Sequence, residues 1–166
     1  KYAIKISEKN FKLNKIDFNG KKSDLLSQWK DQNFDLIIND VSAISSFFSN
    51  KKIWYNSFIP SETGLDGTKQ FVKFLKTIKK LNLKSIIIPV ISLSNVPKIK
   101  KLIKKEKYKI TSLLKQEWPM PKNLVFQQSK ELLKLKNKKK IFFRELNDFL
   151  VANTEILYLE KKLFKF

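Results

Sequence analysis

The order of apolar runs and amphipathic stretches in this chain predicts an α/β fold with a mostly parallel sheet and an antiparallel edge. Three observations carry that expectation. Residues 34–41 (Phe34-Asp35-Leu36-Ile37-Ile38-Asn39-Asp40-Val41) and 85–93 are strand-length apolar runs, the pattern of strands covered on both faces. Between them Phe71, Phe74, Leu75, Ile78 and Leu81 recur at helical spacing, with Lys73, Lys76, Lys79 and Lys80 largely off that stripe. Residues 154–160 set Ile156 and Tyr158 against Leu157 and Leu159, the period of a strand.

Taken in order, residues 2–14 read as a helix, with Ala3, Ile6, Asn10 and Leu13 near one face. Asn19-Gly20 signals a turn. Residues 22–26 are a short strand candidate, and 34–41 a stronger one ending in Asn39 and Asp40. Residues 42–66 read as a long loop, or a short helix plus a loop, carrying Trp54, Tyr55 and Phe58, an aromatic wall, a base-stacking platform or an anchor to the core. Asp66 is placed to cap the helix that follows. After the second buried strand, Ser94-Asn95 caps a helix with Pro97 in its first turn and Ile99, Leu102 and Ile103 on its buried face. Residues 110–118 read as a strand stopped by Pro119 and Pro121, and the lysine-rich stretch 118–150 as a mostly helical insert before the last strand. The last two strands, lacking a simple crossover helix between them, predict the antiparallel edge. The whole chain, 1–166, is expected to be one domain.

Composition narrows the chemistry. Hydrophobic residues at 42% and charged residues at 30% describe a globular chain. No apolar run approaches the ~20 residues of a membrane span, and Lys1-Tyr2-Ala3 does not open a signal peptide. A cytoplasmic protein without a membrane partner is the expectation. With no Cys and no His, disulfides and histidine acid–base catalysis are excluded, and no metal site is expected. The net charge of +20 has two readings. One is a polyanionic partner such as RNA. The other is the compositional drift of an A/T-rich genome, since Lys abounds and Arg144 is the only arginine.

Several segments resemble one family. Residues 34–42, ending Asn39-Asp40-Val41-Ser42, look like the fourth-strand motif of class I S-adenosylmethionine-dependent methyltransferases. Ile59-Pro60-Ser61-Glu62-Thr63-Gly64-Leu65-Asp66-Gly67-Thr68 looks like the segment that follows it in the small-domain type, which includes release-factor glutamine and ribosomal RNA guanine methyltransferases. Ala3, Ser7, Asn10 and Asn14 are similar to the helix after the cofactor-ribose strand, Ser23-Asp24-Leu25-Leu26 to the third-strand motif, and residues 154–161 to the closing seventh strand.

The resemblance implies a Rossmann-like methyltransferase sheet lacking its first one or two strands. It implies S-adenosylmethionine as cofactor, with Asp24 accepting a hydrogen bond from adenine and Leu25 and Asn39 beside it. Asp40 and Ser42 then face or orient a methyl acceptor, RNA or protein. Two departures stand out. The only glycines are Gly20, Gly64 and Gly67, none placed as a cofactor-cradling loop after a buried strand, so the chain reads as an N-terminally truncated domain and a poor catalyst by itself. The family's Asn/Asp-Pro-Pro-Tyr/Phe motif is here Asp40-Val41-Ser42-Ala43, which leaves the acceptor open. In-line methyl transfer needs alignment more than an acid or base, so a chain without His or Cys suits it. The alternative from another class is a non-enzymatic basic RNA-binding module.

Beyond these, Ser92 to Asn95 are candidates for an acceptor pocket or for turn and capping duty. The run Lys136 to Lys140 is a candidate phosphate contact or a solvated face.

Overall fold

The computed structural model describes residues 2–29, 31–40, 43–49, 63–79, 81, 83–122 and 130–162. The chain divides into two compact units, Lys1–Gln32 and Asn33–Phe166.

The first unit opens with α1 (Tyr2–Leu13), close to the helix that the spacing predicts. No residue of α1 is buried, so its apolar stripe remains open to solvent. Lys15 N–H donates to the Lys12 carbonyl at 3.1 Å and Ile16 N–H to the Phe11 carbonyl at 3.0 Å, which closes the helix with Lys15 in the left-handed region at φ 54. Residues 22–26 form no strand. The Ser23 hydroxyl accepts from Gln28 N–H at 3.1 Å, Leu25 sits at φ 55, and the chain winds into a 3₁₀ turn, Ser27–Trp29. Ser side chains that bond locally draw the backbone away from a ladder, a competition that the apolar pattern does not register.

The second unit holds β1 (Leu36–Ile38), α2 (Ser46–Ser49), α3 (Lys69–Ile78), β2 (Ser85–Ile91), α4 (Val96–Lys105), β3 (Tyr108–Pro121), α5 (Lys130–Asn137), β4 (Arg144–Leu146) and β5 (Phe149–Lys161). The sheet runs β1-β2-β5-β3, with β4 also paired to β5. β1 and β2 are parallel, with Ile37 opposite Ile86. β5 is antiparallel to both β2 and β3, so β1, β2 and β3 share one direction and β5 alone runs against them. The sheet is therefore mixed, and its neighbouring strands are mostly antiparallel. The expectation of a mostly parallel sheet with a reversed edge is corrected, because the reversed strand lies inside. A two-residue turn, Asn147-Asp148 with Asn147 at φ 49, reverses the chain between β4 and β5. β5 is then long enough to pair on both its sides.

The lysine-rich stretch is less helical than its pattern suggests. α5 is short, and residues 118–121 and 144–150 contribute to β3, β4 and β5. Pro119 does not stop β3. Lys122 N–H donates to the Asp148 carbonyl at 2.9 Å, one place beyond the Pro121–Phe149 pair. The bonded positions thus fall on alternate residues that exclude both prolines, and an edge strand tolerates proline there.

Burial follows the period of two. Ile86, Ile88 and Val90 of β2 and Leu157 and Leu159 of β5 are buried on one face of the sheet. α3 buries Phe71, Phe74, Leu75 and Ile78, and α4 buries Ile99 and Ile103 and packs against α3 and β3. The other face is only half-covered among the described residues, with Leu36 44% and Ile38 70% exposed, so the expectation of β1 covered on both sides does not hold there. A further core at the far end of β5 joins Phe48, Leu93, Met120, Leu132, Ile141, Phe143, Leu150 and Ala152. No helix among the described residues is long and apolar enough to cross a membrane.

Candidate functional site

Segments converge beyond the carboxyl ends of β1 and β2: residues 39–40 with 43–45, 63–68 and 92–98. In sheets with adjacent parallel strands that end is where ligands collect. Asn39 extends the β1 ladder by one step, its N–H donating to the Ile87 carbonyl at 2.9 Å. Asp40 follows with its side chain exposed. Ser45 N–H donates to the Leu93 carbonyl at 3.0 Å.

Asp66 ties these segments together. Its Oδ1 accepts from the Thr68 hydroxyl at 2.7 Å and from Thr68 N–H at 3.3 Å. Its Oδ2 accepts from Asn95 Nδ2 at 3.2 Å and from Lys98 Nζ at 3.0 Å. Its carbonyl accepts from Asn95 N–H at 2.8 Å. Burial pushes the Asp66 carboxyl up, but the hydrogen bonds from Thr68, Lys98 and Asn95 and the charge of Lys98 outweigh it, leaving the group below its ordinary value. The role as cap of α3 is corrected: Thr68 occupies that position without a side-chain cap bond, and Asp66 serves the start of α4 instead. Asn95 caps α4 as the sequence predicts, accepting from Lys98 N–H at 3.1 Å.

Gly67, at φ 71, seals the junction. A Cβ there would stand 2.8 Å from backbone atoms of Ile44 and Ser45, so the glycine serves close packing of the chain on itself. Ser45, fully buried, donates from its hydroxyl to the Leu65 carbonyl at 2.5 Å.

Beside this junction lies a cavity of about 720 Å³ whose lining includes Ser92, Ser94, Asn153, Glu155 and Phe142. Lys115, Lys136, Lys139 and Lys140 stand at it as well. Glu155 is held by Lys100 at 2.8 Å. Burial raises its carboxyl, while hydrogen bonds from Lys100 and Ser112 and the charges of Lys100 and Lys115 bring it below the ordinary range.

Of the residues that the sequence singled out, Asn39 and Asp40 sit together at the tip of β1. Asp24 and Leu25 belong to the first unit, in the turn before the 3₁₀ helix, where the Asp24 carbonyl accepts from Ser27 N–H at 3.2 Å. Ser42, Trp54, Tyr55 and Phe58 lie outside the described residues. Ser92 and Ser94 line the cavity, whereas Asn95 turns to Asp66 and Lys98. Asn153 and Phe142 were not foreseen. Each faces the site only because β5 and the segment before β4 fold back onto β2, which no local pattern encodes. No group of three or more carboxylates able to hold a metal ion occurs among the described residues. No family model, curated protein or solved structure matches the chain.

Proposed function

We propose that the chain carries the acceptor side of a class I S-adenosylmethionine-dependent methyltransferase. The order of the sheet is the observation that supports this reading best. Taking β1 as the fourth strand and β5 as the closing seventh, as the sequence resemblance has it, gives β2 and β3 the fifth and sixth places. The one strand that runs against its neighbours is then the closing strand. The loop 63–68, which carries the second stretch of resemblance, is fastened over the ends of β1 and β2.

Asp24 and Leu25, in the first unit, are the groups that the resemblance assigns to adenine. Gly64 and Gly67 are packed into their own chain and offer no cradle for the methionine and ribose portions. What this chain supplies is alignment of the acceptor. The Asp40 carboxylate, exposed at a strand tip fixed by the Asn39–Ile87 bond, accepts a hydrogen bond from an acceptor N–H or O–H and orients its lone pair. Ser42 is assigned as its helper. When bound, the cofactor supplies the electrophilic methyl group.

Calorimetry with S-adenosylhomocysteine tests the reading, first on this chain and then on the longest polypeptide that its reading frame encodes. Saturable heat from the longer polypeptide alone is the expected result. Absence of binding by both removes the methyltransferase reading and favours the non-enzymatic RNA-binding module.

A further inference from the structure

We infer that the cavity at the carboxyl end of β2 binds a nucleotide unit of single-stranded RNA, its phosphate held by lysines and buried donors and its base by Phe142. The cavity's volume of about 720 Å³ is in the range of sites that hold small ligands. Its floor is built where the end of β2 meets β5. Ser92 N–H donates to the Asn153 carbonyl at 2.8 Å, and Asn153 N–H donates to the Ser92 hydroxyl oxygen at 3.0 Å. That second bond uses Ser92 Oγ as acceptor and leaves its hydroxyl proton available. The Asn153 residue is only 8% exposed and lines the cavity. Its side-chain amide has no protein partner among the described residues, none of which seals a polar side-chain atom away without one. Its polar atoms therefore open to the cavity, where a ligand group can take the place of solvent.

The charge of the lining points to an anion. Four lysines face one glutamate, a formal +3, and that glutamate is already held by Lys100. Lys136 is partly engaged, 3.9 Å from Glu145 and 4.4 Å from the Phe143 ring centroid. The ammonium groups of Lys139 and Lys140 meet no carboxylate among the described residues. The start of α4 contributes little. Val96, Lys98 and Ile99 already direct their N–H groups to Ser94 and Asn95, and Pro97 has none. Side chains must therefore do the holding.

Phe142 decides the class of anion. It is 58% exposed, and its N–H is anchored to the Ser92 carbonyl at 2.7 Å. An exposed ring beside unpaired cations is the pairing that single-stranded nucleic acid uses, bases stacking while phosphates meet lysines. An acidic peptide matches the charge but leaves the ring without a flat partner.

This inference stands on the cavity alone. Joined to the methyltransferase reading it makes RNA the acceptor, and the test uses no cofactor, so the two fail separately. Anisotropy of a short fluorescein-labelled oligouridylate is titrated with the chain. Lys115→Gln, Lys139→Gln and Lys140→Gln combined should weaken binding at least ~10-fold and cut the salt slope by about 0.7, the share of the one phosphate that these lysines hold. Lys5→Gln, Lys9→Gln and Lys12→Gln, an equal charge change on α1, should cost less than ~3-fold. Asn153→Ala and Phe142→Ala should each weaken binding several-fold, Asn153→Ala without moving the melting temperature. Equal losses from the two lysine sets, or polyglutamate competing as well as polyuridylate, would overturn the site. A deoxyuridylate arm separates RNA from DNA: weaker binding of the DNA supports RNA as the ligand, and equal binding overturns it.

Discussion

Asp66 gathers hydrogen bonds from both sides of the junction, and its role was legible only in part. Its place before a helix was clear from the Asp-Gly-Thr run, but which helix it serves was not, because Asn95 and Lys98 are 29 and 32 residues away. The consequence is measurable. Asp66→Ala strands the Asn95 amide and the Thr68 hydroxyl in a part-buried site, and should lower unfolding free energy by about 2 kcal/mol in urea titrations at neutral pH. Because the folded carboxyl lies below the ~3.9 of an unfolded aspartate, protonation opposes folding. The contribution is complete above that value and disappears as pH falls through the folded one. The gap between wild type and Asp66→Ala should therefore narrow below about pH 4. A gap that persists undiminished at about pH 2 to 3 would assign the loss to packing.

At the scale of elements, helices were read better than strands. α3 and α4 announce themselves by apolar spacing, and α4 also by Asn95 and Pro97. The strand expected at 22–26 does not form, since Ser23 acts through a local bond and Leu25 takes a left-handed backbone. Three helix ends share one habit. Where glycine is usual, lysine stands in the left-handed region: Lys15 after α1, Lys107 after α4 and Lys139 after α5. After α5, Lys139 N–H donates to the Lys136 carbonyl at 2.8 Å and Lys140 N–H to the Leu135 carbonyl at 2.9 Å, the paired closure at which glycine is favoured. Lys139→Gly should raise the melting temperature through ~1 kcal/mol of relieved strain. A lower melting temperature would mean that the lysine stem packs on the surface.

For the molecule as a whole, the alternation of β1, α3, β2 and α4 made the α/β class legible, whereas the position of β5 was not. Strand pairing between residues 85–91 and 154–160 joins segments more than sixty positions apart, and the alternation of Leu157 and Leu159 says only that one face is buried. Nor could the sequence place Ser92 beside Asn153 and Lys139, which leaves the cavity invisible until the sheet is assembled. Because β5 bridges β2 and β3, it contributes more to cohesion than either edge strand. Removing residues 149–161 should abolish a cooperative urea transition, whereas deleting the short β4 hairpin arm should only shift its midpoint. A sharp transition in the shorter protein would show that the α3–α4 layer holds together without it.

The late arrival of β5 also bears on biogenesis. During translation β2 and β3 emerge first, each with an unsatisfied hydrogen-bonding margin meant for the strand that will lie between them. Until residues 149–161 clear the ribosome, nascent chains can zip to one another through those margins. Slow elongation or high expression would thus favour intermolecular ladders over the native insertion.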